Sequence, residues 1–309
     1  GEVIGQSPLN TTEELFTAVA KARGAQADWA TIPPKKRAKV LMRLRPLLLE
    51  RAEALARTIS EENGKTRVDA LATEILPCTM AVGYYCKMAP KWLKEKKLKN
   101  SNPVLINKKS YLARLPYGVT GVISPWNYPL AIPFSEVLMS LLAGNAVVLK
   151  VARQTQKVGR MLEQLFADCG LPEDLFTYVN LPGAVAGAAF FEAGVDKLFF
   201  TGSVSVGKEL AALAAKRLTP VSLELGGNDA MIVCADANIS RAVRGAVWAG
   251  FQNAGQSCGG VERIYAQQDV YEPFLERLAE RVRNLRVGDD RREDVDLGAI
   301  TTEKQTATV

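Results

Sequence analysis

The sequence predicts an α/β fold: a Rossmann-like parallel sheet forming a nucleotide-binding domain, with helices ahead of it and the start of a second α/β catalytic domain after it. Three observations predict this. Short apolar runs alternate with helix-length segments between residues 119 and 225, the rhythm of a parallel sheet covered by helices. The first hundred residues instead place apolar side chains at three-and-four spacing, as helices do. A Gly226-Gly227 pair then interrupts the chain, and a second strand-helix-strand-helix series follows it.

Taken in order, Leu15 and Val19, then Val40, Leu44, Leu47 or Leu48, and Leu55 mark the N-terminal helices, with Thr11 and Glu14 placed as a capping box. The stretch Lys87 to Lys99 supplies much of the net charge of +6, which comes from 39 Lys and Arg against 33 Asp and Glu. It holds one aromatic, Trp92, and no stacking series, so it predicts a solvated helix face and no nucleic-acid partner. Val104 to Leu115 is extended and carries exposed charge, like a projecting strand. Such an arm needs a partner edge, so a homo-oligomer, dimer or tetramer, is expected of a complete chain.

Sheet strands are expected at Val119 to Ser124, Ala146 to Lys150, Leu175 to Asn180, Lys197 to Phe200 and Val221 to Leu225. The apolar run Pro129 to Leu149 is about long enough to cross a bilayer, but Pro133, Glu136 and Gly144-Asn145 break it. It predicts a buried helix followed by a strand, with no membrane span. After the glycine pair come a strand Ala230 to Cys234, a helix Arg241 to Gln252, a strand Glu262 to Ala266 and a helix Tyr271 to Leu285. The expected domains are a helical segment 1–100, an oligomerisation arm 101–116, a nucleotide-binding domain 117–226 and the first part of a catalytic domain 227–309.

Histidine is absent from the 309 residues. That excludes Ser-His-Asp and Cys-His catalysis and any histidine-ligated metal, so a nucleophile must draw on a carboxylate, a lysine or local dipoles. The five cysteines are odd in number and widely spaced, without a CxxC pair, which predicts a reducing, cytoplasmic setting and no thiolate metal site. No cationic, apolar leader precedes the first helix, although the chain opens on Gly1.

Parallel sheets bind ligands beyond the carboxyl ends of their strands. Those ends carry Pro125-Trp126-Asn127, Lys150, Gly183, Thr201-Gly202-Ser203 and Glu224. No GxGxxG follows the first strand. Gly202 to Lys208 mimics a phosphate loop and raises the reading of a nucleotide hydrolase. The next residue, however, is Glu209, where magnesium would need a Ser or Thr hydroxyl. A helix N-terminus receiving a pyrophosphate accounts for the same glycines.

Cys258 lies in the small-residue turn Gly255-Gln256-Ser257-Cys258-Gly259-Gly260. One cysteine among five is ordinarily a small hydrophobe, but these glycines clear space around the sulfur and let backbone amides face a thiolate and an oxyanion. Glu224, between Leu223 and Leu225 at a strand end, is costly there unless paired or functional, and burial would make it a more useful base at neutral pH.

Four motifs together, Pro125-Trp126-Asn127-Tyr128-Pro129, Phe200-Thr201-Gly202-Ser203, Leu223-Glu224-Leu225-Gly226-Gly227-Asn228 and Gly255-Gln256-Ser257-Cys258, resemble the aldehyde dehydrogenase superfamily in order and spacing. The resemblance runs from about Gly5 to the last residue, and that family binds its dinucleotide without GxGxxG. It implies oxidation of a small-molecule aldehyde to the acid with NAD or NADP. Cys258 would be the nucleophile and Glu224 the base that activates water on the thioester. Asn127 and the Cys258 amide would hold the oxyanion. It further implies that Ile123, Ser124, Pro125, Trp126, Lys150, Gly183, Gly202, Ser203 and Val206 line the adenosine and pyrophosphate, with Leu225 and Gly226 near the nicotinamide. The glutamate argues against the coenzyme-A-acylating branch.

Two departures stand out. The family often reads Lys-Pro-Ser/Ala-Glu at the second strand's end, whereas this chain reads Lys150-Val151-Ala152-Arg153; an arginine can pair with a 2′-phosphate, so NADP is expected to be tolerated. The sequence also stops soon after Val287-Gly288-Asp289, where family members continue, which leaves an inactive fragment that binds nucleotide or partner subunits as the runner-up reading.

Overall fold

A computed structural model of the chain describes residues 3–99, 102–288 and 294–308. Helix α1 (Thr12–Thr31) starts at Thr11, whose hydroxyl accepts from the Glu14 amide while Glu14 reaches back to the Thr11 amide. That is the expected capping box, which satisfies two amides a helix start leaves unpaired. α2 (Pro34–Leu41) opens on proline, pre-set for a first turn. α3 (Leu44–Glu50) and α4 (Ala52–Asn63) follow, and α4 ends on Gly64 in the left-handed conformation. The short α5 (Arg67–Ala70) runs through a π-turn, Leu71–Ile75, into α6 (Leu76–Trp92).

The basic stretch departs from expectation. Only its first half is helical; Lys96–Leu98 forms β1, paired antiparallel with β2 (Ser110–Leu112). Lysine suits a helix well and disguises the strand, and backbone pairing to residues 110–112 decides the matter. The projecting segment is therefore a hairpin. Asn102 and Pro103 begin a 3₁₀ turn at Pro103–Leu105, so only part of Val104 to Leu115 is strand. Ser101, at the start of the expected arm, and Asp289 lie outside the described residues.

β3 (Val119–Ile123), β4 (Ala146–Lys150), β5 (Phe176–Tyr178), β6 (Lys197–Gly202) and β7 (Val221–Leu225) make one parallel sheet in the order β5-β4-β3-β6-β7. The chain builds outward from β3 to β5, then returns to lay β6 on the other side of β3. The crevice between β3 and β6 is thus the switch point at which such sheets bind ligands. The connections are α7 (Ala131–Ala143), α8 (Gln156–Asp168), α9 (Gly183–Glu192) and α10 (Val204–Ala215).

β3 and β4 are buried throughout, as strands covered on both faces must be. α7 packs Phe134, Val137, Leu138 and Leu141 into the core, each worth about 2 kcal/mol by removal from water. α1 is fastened to it by the Trp29 indole, which donates to the Leu141 carbonyl at 2.8 Å. No helix of the described residues is long and apolar enough to cross a membrane.

Beyond β7, β8 (Asp229–Val233) and β9 (Val261–Ala266) pair in parallel. α11 (Ile239–Phe251) and α12 (Gln268–Arg283) pack on them around Val233, Val243, Ala246, Val270 and Phe274. After residue 294 the chain returns to the end of α4. The Ala299 amide donates to the Gly64 carbonyl at 2.8 Å and the Thr301 hydroxyl to the Asn63 carbonyl at 2.5 Å. α13 (Glu303–Thr308) closes the described chain.

Candidate active site

At the carboxyl ends of β3, β6 and β7 the sheet opens into a cleft with about 340 Å³ of room. Pro125, Trp126 and Asn127 enter from the loop after β3, and Gly202 and Ser203 from the turn after β6. Glu224, Leu225 and Gly226 enter from the end of β7, and Cys258 from the loop between α11 and β9. All three residues expected to carry chemistry, Cys258, Glu224 and Asn127, therefore line one cavity.

Cys258 is placed by strained backbone. Asn253, Ala254 and Gly255 all adopt positive φ, at 53°, 55° and 75°. Two non-glycine residues there cost about 1–2 kcal/mol each, and such strain persists only where surroundings over-determine it. The surroundings supply that. The amide of buried Asn253 donates to Asp69 Oδ2 at 3.2 Å, and its Nδ2 donates to the carbonyls of Asn127 at 3.0 Å and Gln256 at 3.2 Å. Gln256 Nε2 donates back to the Asn253 carbonyl at 2.9 Å, and its Oε1 accepts from the Thr301 amide at 2.9 Å. The glycines after Cys258 leave its side chain exposed.

Asn127 reaches the same loop: its Nδ2 donates to the Gln256 carbonyl at 3.0 Å. An amide nitrogen carries two protons, so one donor remains for a substrate oxygen. Next to it, the Tyr128 hydroxyl accepts from Gln252 Nε2 at 3.1 Å. Burial pushes the phenol's pKa up, against a hydrogen bond with Ser257, and the nearby Glu74, Asp69 and Cys258 push it further.

Glu224 differs from expectation in being exposed. Its strand is the sheet edge, and nothing in the described chain covers the side it faces. Thr201 lies directly across from it on β6. Behind Thr201 is a second carboxylate, Glu136 on α7, which accepts from the Thr201 hydroxyl at 3.4 Å. Burial, with repulsion from Glu224, raises the Glu136 pKa to about 8.

The residues expected to bind a dinucleotide are distributed along the sheet. Ile123 and Ser124 end β3 behind the cleft, both buried. Lys150 ends β4 and faces Gly183 at the start of α9, where an added Cβ would lie 4.0 Å from Nζ. Burial lowers the Lys150 pKa. Ser203 caps α10, its hydroxyl accepting from the Val206 amide at 3.4 Å. A side chain at Gly207, one turn on, would meet Leu225 at 2.7 Å, so glycine lets α10 lie close against β7. Arg153 is not in the cleft. It lines a separate depression with Glu62, Lys157 and Arg160, and Glu62 there accepts from the Lys157 and Val158 amides at 2.7 and 3.0 Å.

Sequence reasoning named Thr201 at a ligand-facing strand end without giving it a role, and missed Glu262 as a lining residue, Gln305 from the returning segment, and the Asn253 and Asp69 supports. Thr201 and Gln256 stood inside recognised motifs. Asp69 and Gln305 carry no local signal, since only long-range folding brings them in.

A family profile described as Aldehyde dehydrogenase family matches residues 1–309. The chain is 38% identical over 305 residues to a 4,4'-diapolycopene aldehyde oxidase of Methylomonas sp, covering 99% of this chain and 57% of that protein. Among solved structures, an NADP dependent enzyme of E. coli matches with a TM-score of 0.94 at 32% identity, over 99% of this chain and 63% of the other. An NAD-dependent aldehyde dehydrogenase from Sinorhizobium meliloti also matches with a TM-score of 0.94 at 32% identity, over 99% and 61%. The chain thus spans about three fifths of the length of these relatives.

Proposed function

Because the chain belongs to the aldehyde dehydrogenase family, we propose that it carries the site for NAD- or NADP-dependent oxidation of an aldehyde to its carboxylic acid. The convergence of Cys258, Asn127 and Glu224 on one cleft at the sheet's switch point is the observation that carries the reading.

The residues fit a dinucleotide. Lys150 is 7% exposed and its ammonium has no hydrogen bond or ion pair among the described residues, while the buried Ser124 hydroxyl has no partner. Both sit at strand ends where ribose and phosphate oxygens would satisfy them. When bound, the nicotinamide supplies the two-electron acceptor.

The chain's own residues do the remaining work. Cys258 Sγ forms a bond to the carbonyl carbon, and the free Asn127 N–H and the Cys258 amide take the charge that moves onto oxygen. The thioester left after oxidation is attacked by a water whose proton passes to Glu224. The C–S bond then breaks, releasing acid and thiolate. Arg153, Lys157 and Arg160 form a cationic surface beside β4, which supports acceptance of a 2′-phosphate. Fluorescence titration is expected to give comparable affinities, and NAD binding a hundredfold tighter than NADP would contradict it.

The same reading assigns residues 1–100 and 117–226 to the helical and nucleotide-binding portions, 227–309 to part of a catalytic domain, and the arm 101–116 to subunit contact in a cytoplasmic oligomer. A second reading, a chain that binds nucleotide or partner subunits without turnover, draws on the exposure of both Cys258 and Glu224. Reduction of NAD and NADP with a panel of aldehydes decides between them. Turnover that Cys258→Ala abolishes supports the oxidation; cofactor binding without turnover supports the second reading. Magnesium-dependent phosphate release would revive the nucleotide hydrolase.

A further inference from the structure

Lys65 and Glu74 form an ion pair at 2.6 Å with both side chains 0% exposed. Lys65 follows the left-handed Gly64 that ends α4, and Glu74 sits in the π-turn Leu71–Ile75. Breaks of helical register of this kind often mark functional places. The two side chains share no other obvious task, and a buried ion pair is a poor stabiliser, because stripping water from both charges offsets most of their attraction.

What they touch is specific. The Lys65 ammonium has three protons: one goes to Glu74, one to the Asn127 carbonyl at 2.8 Å, and Nζ stands 4.2 Å from the centre of the Tyr128 ring. Glu74 turns its other oxygen to the start of α7, accepting from the Leu130 and Ala131 amides at 2.7 and 3.1 Å. One pair thus pins both ends of the loop from Asn127 to Ala131. The Asn127 carbonyl that Lys65 holds also receives Asn253 Nδ2 at 3.0 Å, from the strained turn that places Cys258. The loop of the amide and the loop of the thiol meet at one oxygen.

We propose that the Lys65–Glu74 pair is the positioning device for Asn127, setting its amide at the distance from Cys258 that an oxyanion requires. This rests on the preceding assignment of Cys258 as nucleophile and Asn127 as oxyanion donor. Neither Lys65 nor Glu74 touches the reacting atoms. They act through Asn127, so their removal should harm reactions that pass through an oxyanion and spare those that do not.

Two reactions of the same thiol separate these cases in the chain as it stands, without cofactor. Acylation by 4-nitrophenyl acetate adds Sγ to a carbonyl, builds charge on its oxygen and expels 4-nitrophenolate. Alkylation by iodoacetamide displaces iodide from a saturated carbon and builds none. Lys65→Met is expected to slow acylation tenfold or more while alkylation stays within about twofold, since one oxyanion donor is worth about a hundredfold or more. Asn127→Ala sets the ceiling, and the double variant should be no slower than Asn127→Ala, the mark of two residues acting through one group.

Equal slowing of both reactions, or fully additive losses, would overturn the inference. Should Lys65→Met fail to fold, Glu74→Gln serves. Its amide can accept from Lys65 or from α7 but not from both, and the ratio of the two rates should fall by an intermediate amount; an unchanged ratio counts against the proposal. If Asn127→Ala itself leaves the ratio unchanged, the oxyanion assignment fails and this inference with it. If Asn127→Ala lowers the ratio and Lys65→Met does not, this inference alone fails.

Discussion

Glu224 and Glu136 face the same side of the sheet by way of Thr201, yet one is exposed and the other buried. The contrast leads to a different prediction for each. The proposed role of Glu224 as the water-activating base places its action after acylation, so Glu224→Gln is expected to keep the initial burst of 4-nitrophenolate and slow the following steady release by about a hundredfold or more; loss of the burst as well would contradict this. Glu136, with its pKa raised to about 8, bears on stability. Its unfolded pKa is lower, so the fold favours the protonated form. That contribution is complete below the unfolded pKa and is lost as pH rises through the folded value, at about 1.4 kcal/mol per pH unit in between. Denaturant unfolding at pH 6 and pH 8 should show wild type losing stability relative to Glu136→Gln over that interval, and parallel behaviour would refute it.

At the scale of elements, the turn before Cys258 and the returning segment make opposite predictions about glycine. Ala254 sits at φ 55°, so Ala254→Gly is expected to leave the melting temperature unchanged or raised, whereas Ala56→Gly, at a buried position of α4, should cost about 1 kcal/mol or more. Gly298 packs on the α4 cap so closely that an added Cβ would lie 1.9 Å from the Gly64 carbonyl oxygen, a backbone atom that cannot step aside. Gly298→Ala should therefore detach residues 298–301 and, with them, the Thr301 amide from Gln256, read as faster protease cleavage there. Sequence made some of these elements plain. Ala146–Lys150 and Val221–Leu225 were legible as strands to the residue, the first as a short apolar run and the second by its alternation of apolar and polar residues before a glycine pair, and the glycines around Cys258 announced a cleared turn. β1 was not legible, since Lys-Lys-Leu suits a helix and its partner lies beyond the 3₁₀ turn. Lys65, Glu74 and Asp69 were invisible for a related reason: their meaning resides in groups about 60 to 180 residues away, which no local periodicity encodes.

Across the whole molecule, stability is unevenly shared. The sheet from β3 to β7 and the N-terminal helices draw on one large continuous core, while among the described residues β8, β9, α11 and α12 share a small cluster of Val233, Val243, Ala246, Val270 and Phe274. Hydrogen exchange is expected to show β8 and β9 opening at lower free energy than β3 and β4, because few buried contacts oppose it; equal protection would mean one cooperative unit. Dinucleotide binding should slow exchange at the ends of β3, β4 and β6 first. The bond from Thr301 to the Asn63 carbonyl spans 238 residues, and it has a meaning in time as well as in space. During synthesis at about 5–20 residues per second, about 40 residues separate the emergence of Cys258 from that of Thr301, so for roughly 2–8 s the turn before the thiol has its bonds to Asp69 and Asn127 but not the one from Thr301 to Gln256. An electrophile present in that interval meets a cysteine whose turn still lacks one anchor, so the order of translation is also the order in which that turn is fastened.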